Sequence, residues 1–203
     1  MPLSRVLKSG EMVSYLATPK IWRYMQTLRI YKVEDKYIRY LNSRDDKVQY
    51  NKGAKRPYVG VVFTFAGYQY FVPMESPKPN HVNIKPGKHI VKLDNGRYGL
   101  LGFNNMIPVH KDALIEYDIN SEKDLKYKAL LQRQVTICNR IKADILNHAQ
   151  MTYFDVTTGK NKFLIGISCD FKKLEQACNS YNPNHKSVTK KTKSKTPVYI
   201  VHT

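Results

Sequence analysis

The sequence predicts an α+β fold: a strongly twisted antiparallel β-sheet flanked by helices. Three observations carry this. Segments with strand-like alternation cluster between residues 27 and 119, and the long helical spacing comes after them. Two pairs of strands are joined by tight-turn signals, Ala66-Gly67 and Asp94-Asn95-Gly96. Strands first and helices later give an α+β plan, whereas βαβα alternation would give a doubly wound parallel sheet.

The elements follow in order. "TLRIYKV" alternates and predicts a strand over 27–33. "EDKYIRYLN" spaces Tyr37, Ile38 and Leu41 for one face of a short helix behind Asp35 as cap. Residues 42–56 form a polar loop. "PYVGVVFTF" (57–65) and "YQYFVPM" (68–74) form a hairpin, ended by Pro73, Pro77 and Pro79, because proline cannot donate to a ladder. Residues 88–93 and 97–103 form a second hairpin, and 106–109 and 113–119 add short strands. A long helix is expected from 122 to 149, with Ser121 and Asp124 as a capping box. "KFLIGIS" (162–168) reads as a strand. Residues 169–181 close the fold as a helix capped by Asp170. Thr18-Pro19 starts a short N-terminal helix through Trp22 and Met25.

The expected organisation is an N-terminal extension (1–24), a single domain (25–181) and a basic tail (182–203). Met25 is an alternative start. The tail stretch "NHKSVTKKTKSK" is lysine-rich without an acid, which predicts disorder, and "PVYIVHT" has the pattern of a strand on a sheet edge.

Composition narrows the function. Of 203 residues, 34 are Lys or Arg and 16 are Asp or Glu, a net charge of +18. That excess predicts a polyanionic partner, RNA or DNA before a membrane surface. No apolar run is long enough to span a bilayer, and no Lys-rich helix has the clean apolar face of a membrane-surface binder. The N-terminus has no apolar core of a secretory signal. Cys138, Cys169 and Cys178 lack CxxC spacing, so they read as buried free thiols in a cytoplasmic protein. The six histidines show no HxxxH or HExxH spacing, and no metal site is predicted. No glycine-rich phosphate loop is present, so no nucleotide cofactor is expected.

The remaining chemistry is basic and aromatic. Tyr37, Tyr40 and Tyr50 are interleaved with Lys36, Arg39, Arg44, Lys47, Lys52 and Lys55, a pattern that suits a single-stranded nucleic-acid groove. "PMESPKPNHV" places Glu75, Ser76, Lys78 and His81 just past a strand. As composition it reads as a polar turn before it reads as a reacting edge. A metal-free RNA cleaver needs a proton acceptor for the 2′-hydroxyl, cations for the phosphorane and a donor for the 5′-oxygen.

Six segments, "YIRYL", "RPYVGVV", "YQYFVPMESPK", "LGFNNMIPV", "YKALLQRQ" and "SCDFKKLEQ", occur in this order. Together they resemble the ToxN/AbiQ family, the endoribonuclease toxins of type III toxin–antitoxin systems, with its abortive-infection (AbiQ) branch looking nearest. The resemblance implies a MazF/Kid-like core and a sequence-preferring, metal-independent RNase without a cofactor. It implies 2′-hydroxyl attack leaving a 2′,3′-cyclic phosphate and a 5′-hydroxyl, in phage resistance by abortive infection. The implied partners are target RNA and a repeat RNA pseudoknot antitoxin, which the toxin processes and which then blocks it. The implied assembly is an RNA–protein ring or otherwise a monomer.

Carried over by position, the family's catalytic residues match Tyr37, Arg56, Ser76 and Lys78. Lys36, Arg39, Tyr40, Lys47, Lys52, Lys55, Glu75 and His81 are the expected RNA-binding residues. The chain departs from the pattern twice. Glu75 stands where relatives often have Thr, and Arg56 where some have Lys. Arginine cannot serve as a base, so Arg56 is assigned to charge stabilisation. The alternative function is a non-catalytic RNA-binding protein using the same groove.

Overall fold

A computed structural model describes residues 27–184 apart from 52, 54 and 86. The N-terminal helix expected near Thr18, the alternative start at Met25, Lys52, the lysine-rich tail and the terminal strand fall outside the described residues.

The sheet is antiparallel throughout. β1 (Arg29–Val33) pairs with β2 (Tyr58–Phe65), and β2 pairs with β3 (Tyr68–Glu75) across the turn at Ala66-Gly67. β3 pairs with β5 (Leu100–Gly102) and β6 (Ile107–Pro108). β4 (Ile90–Lys92) continues the sheet beyond β5, and β7 (Leu114–Glu116) flanks β1 at the other edge. The register of β2 on β3 shifts between Val59 and Phe63, a bulge of the kind that bends a strand and raises its twist. Ala66 and Gly67 both have positive φ, the backbone a two-residue hairpin turn requires.

Pro73 does not end its strand, as the sequence suggested. β3 runs on to Glu75. Pro73 sits between Phe71, which pairs with β6, and Met74, which pairs with β5. At that handover no ladder bond is asked of it on that side.

The expected helix at 35–42 forms as α1 (Asp35–Asn42), burying Tyr37, Ile38 and Leu41. Asp35 is its first residue rather than its cap, and pairs with Arg39 one turn on. The single helix expected at 122–149 is two: α2 (Leu125–Arg140) and α3 (Lys142–Thr157). The chain breaks at Ile141, with φ −104° and ψ 24°, while the apolar spacing continues across the break and hides it. Asp124, not Ser121, caps α2, accepting from the backbone of Lys126 and Tyr127.

Residues 162–168 are not a strand. α4 (Lys162–Ile167) forms there, capped by Asn161 through the Leu164 N–H at 3.1 Å. Only Leu164 is buried in it, while Phe163 is exposed. A short apolar run is ambiguous by periodicity, and the cap decides it. The closing helix α5 (Phe171–Asn179) is capped by Asp170 as expected. Cys138, Cys169 and Cys178 are free and buried, as read.

The core lies between the sheet and the helices α1, α3 and α5. At Gly60 a Cβ would come within 2.0 Å of the Phe71 ring, which itself stands edge-on to Tyr31 with centroids 5.2 Å apart. The bare glycine admits that ring. Gly60→Ala is therefore expected to destabilise the fold by about 1–3 kcal/mol, read as a lowered urea midpoint with unchanged slope.

Candidate active site

The open end of the β2–β3 hairpin builds the site. Antiparallel pairing that closes at 66–67 necessarily brings the start of β2 beside the end of β3. Tyr58 pairs with Pro73, and the Met74 N–H donates to the Pro57 carbonyl at 2.9 Å. Two segments distant in sequence, one basic and one carrying Ser76 and Lys78, thereby meet. They line a cleft of about 330 Å³ with Gln49, Lys55, Arg56, Pro57, Met74 and Glu75, and Tyr127 of α2 reaches it from the side.

Local structure fixes each side chain. Buried Asn51 donates to the Val33 carbonyl of β1. Its own carbonyl accepts the Lys55 and Arg56 N–H groups at 3.1 and 3.3 Å. This turn presents Arg56, whose Nη1 donates to Gln49 Oε1 at 2.5 Å. Arg56 Nε is buried without a hydrogen-bond partner. On the other wall Glu75 ends β3, and Ser76 and Lys78 are exposed beyond it. Lys78 Nζ lies 3.1 Å from Glu75 Oε2.

Two features hold that wall. Gly99 has φ +95°, and a Cβ there would meet the Glu75 carbonyl at 2.0 Å, so the loop before β5 presses on the strand end as only glycine allows. A 3₁₀ turn (Pro79–Asn83) then tucks His81 inward. His81 is 1% exposed, its Nε2 lies 3.9 Å from Glu75 Oε2, and its Nδ1 has no hydrogen-bond partner. Burial pulls the imidazole below its ordinary range, against the pull of Glu75 and with that of Lys78. His81 therefore stands buried behind the cleft wall, not on the exposed surface expected of it.

Of the four residues expected to be catalytic, Arg56, Ser76 and Lys78 meet here and Tyr37 does not. Tyr37 is fully buried, its hydroxyl donates to the Pro108 carbonyl at 2.8 Å, and its ring stands edge-on to Tyr181. Burial pushes its phenol far above the ordinary range. It is a core residue, because the helix face that carries it faces the sheet.

Among the residues expected to bind RNA, Lys55 and Glu75 line the cleft. Four others have partners away from the cleft: Lys36 the Pro183 carbonyl, Arg39 Asp35, Tyr40 the Ala177 carbonyl, and Lys47 the Ile165 carbonyl. Gln49 and Tyr127 were not foreseen. Tyr127 offered only its place in the lysine-rich start of a helix. Burial, then Glu122, raise its phenol, so it keeps its proton and can donate in the cleft. Among the described residues no group of three or more His, Cys, Asp or Glu side chains comes together to hold a metal ion, and no helix is long and apolar enough to cross a membrane.

The antiparallel sheet with helices, with a basic cleft at the open end of its central hairpin, is the α+β, MazF/Kid-like fold that ToxN structures share. More narrowly, the chain belongs to the ToxN family, described as "Toxin ToxN, type III toxin-antitoxin system", which matches residues 29–179. It is 35% identical to the endoribonuclease ToxN of Bacillus thuringiensis subsp. kurstaki, over 75% of this chain and 84% of that protein. Identity to the endoribonuclease AbiQ of Lactococcus lactis subsp. lactis is 31%, over 77% and 90%. The nearness expected to the AbiQ branch is thus matched or exceeded by a ToxN. A solved toxin, from work on bacterial type III systems in which a non-coding RNA pseudoknot inhibits the toxin, is similar at a TM-score of 0.68 and 34% identity. That likeness covers 76% of this chain and 97% of the other.

Proposed function

We propose that this ToxN-family toxin is a metal-independent endoribonuclease of phage defence, restrained by its own repeat RNA antitoxin. The carrying observation is the cleft in which the hairpin brings Arg56, Ser76 and Lys78 together, in a chain of net charge +18. The relatives named endoribonucleases support the activity, and the solved toxin inhibited by an RNA pseudoknot supports the nature of the antitoxin.

RNA enters with its scissile phosphate against Arg56 and Lys78, whose charges oppose the charge gathering on the phosphorane. Ser76 hydrogen-bonds the phosphate or the attacking 2′-hydroxyl and holds it in line. Lys78 transfers a proton at the scissile bond. Tyr127 offers a ring against which a base stacks. The products are a 2′,3′-cyclic phosphate and a 5′-hydroxyl. The reacting domain is residues 25–181, between an N-terminal extension and a basic tail, and it works in the cytoplasm where its RNA is.

The test is cleavage of RNA by purified protein in EDTA, with both fragment ends mapped. Cyclic-phosphate and 5′-hydroxyl ends are expected. Cleavage that stops in EDTA overturns the metal-independent mechanism, and RNA that is bound but left intact makes the chain a non-catalytic binder. Ser76→Ala should slow turnover about 10–100-fold while RNA affinity stays within a few-fold, the pattern of a contact made in the transition state.

A further inference from the structure

The cleft holds an acid that the catalytic residues expected above leave idle. We propose that Glu75 is the base that takes the proton from the attacking 2′-hydroxyl, paired with Lys78 as the acid that protonates the leaving 5′-oxygen. This rests on the reading of the chain as a metal-independent ribonuclease and assigns its two proton transfers.

Elimination within the cleft leads to Glu75. Arg56 does not give up its proton. A serine hydroxyl needs a base of its own. Tyr127 keeps its phenolic proton. Lys55 and Lys78 are exposed lysines, and Lys78 Nζ donates to Glu75 Oε2 at 3.1 Å, the part of an acid rather than a base. His81 is buried behind the wall. Among the described lining residues, Glu75 is the one carboxylate.

Geometry then fits the role. Glu75 is half-buried, so it is partly stripped of water yet open to substrate. Its backbone is clamped by pairing with Leu100 and by the close approach of Gly99. The charged and titratable groups around it are Lys55 and Arg56 from the loop before β2, Lys78 and His81 from its own segment, and Tyr127 from α2. The imidazole lies 3.9 Å behind the carboxylate, with burial lowering its pKa.

The step balances. O2′ bonds to phosphorus as its proton passes to a Glu75 oxygen. The P–O5′ bond breaks as Lys78 Nζ gives its proton to O5′. Glu75 is left as a carboxylic acid beside a neutral amine. Proton transfer from that acid to Lys78, 3.1 Å away in the resting site, restores both groups with no further reactant.

The experiment is the pH dependence of kcat and KM for RNA cleavage by wild type and Glu75→Gln. Wild-type kcat should fall on the acidic side, because a protonated Glu75 cannot take up the 2′-hydroxyl proton. Glu75→Gln should lose about 100-fold in kcat, lose that acidic limb, and bind RNA no more weakly. Thermal unfolding of both proteins checks the fold. If Gln lowers the midpoint, Glu75→Asp carries the test, with a reduced rate and the acidic limb retained. A Glu75→Gln enzyme within about threefold of an active wild type, or a slow one that keeps the acidic limb, overturns the assignment. A wild type that leaves RNA intact overturns the ribonuclease reading beneath it instead.

Discussion

Glu175→Ala is expected to cost about 3–5 kcal/mol of folding stability, the scale of leaving two buried hydroxyls without their acceptor and opening a small cavity. Glu175 is 5% exposed. Its Oε1 accepts from the hydroxyls of Tyr70 and Tyr153 at 2.9 and 2.7 Å, and its Oε2 accepts from Lys172 Nζ at 3.1 Å. These groups lie on β3, α3 and α5, so one carboxylate ties the sheet to both helices. Burial, then the carboxylate, push the Tyr70 phenol far above its usual range, so it stays a donor. Rings surround the knot: Phe171 stacks on Tyr153 with centroids 5.7 Å apart, and Phe63 lies 5.0 Å from Tyr153. Alanine removes the shared acceptor where water cannot replace it. Glu175→Gln keeps an acceptor oxygen and should cost about half as much. Urea unfolding measures both. A loss below about 1 kcal/mol for alanine would mean that packing alone joins α3 and α5 to the sheet.

Arg56→Ala should lower kcat for RNA cleavage about 10²–10³-fold, the usual cost of losing one preorganised donor to a charge that develops in the transition state. The guanidinium is held from one side by Gln49, and its Nε is buried without a partner. In the proposed reaction the phosphate meets the guanidinium from the cleft side that Arg56 lines. Arg56→Lys restores the charge but not the planar fork, so it should recover only part of the rate. The kcat effect should exceed any change in KM. A change confined to KM would reassign Arg56 to ground-state binding.

Local rules read several elements well. The β2–β3 hairpin was legible because its turn and its apolar patterning agree. The closing helix was legible because Asp170 precedes an amphipathic run. The site was half legible: Arg56, Ser76 and Lys78 come from segments that pairing must bring together. Four features were not legible, each for a physical reason. The break at Ile141 is invisible because apolar spacing continues through it. α4 was mistaken for a strand because a short apolar run fits either, and its Asn161 cap outweighed the run. Tyr37 was expected in the site from its match to the family's position and from the aromatic and basic residues around it, yet the apolar face of α1 carries it into the core. Tyr127 could not be placed because its value depends on where α2 crosses the hairpin end.

The sequence by itself determined the fold class, the central hairpin and the basic character, because these follow from patterning, turn chemistry and charge, which are local or additive; the family came from the resemblance of six ordered segments. Tertiary structure alone decided which polar residues face one another. It turned His81 inward, buried Tyr37 and brought Tyr127 to the cleft. Those are relations between distant segments, fixed by strand register and helix packing, and no single segment carries them.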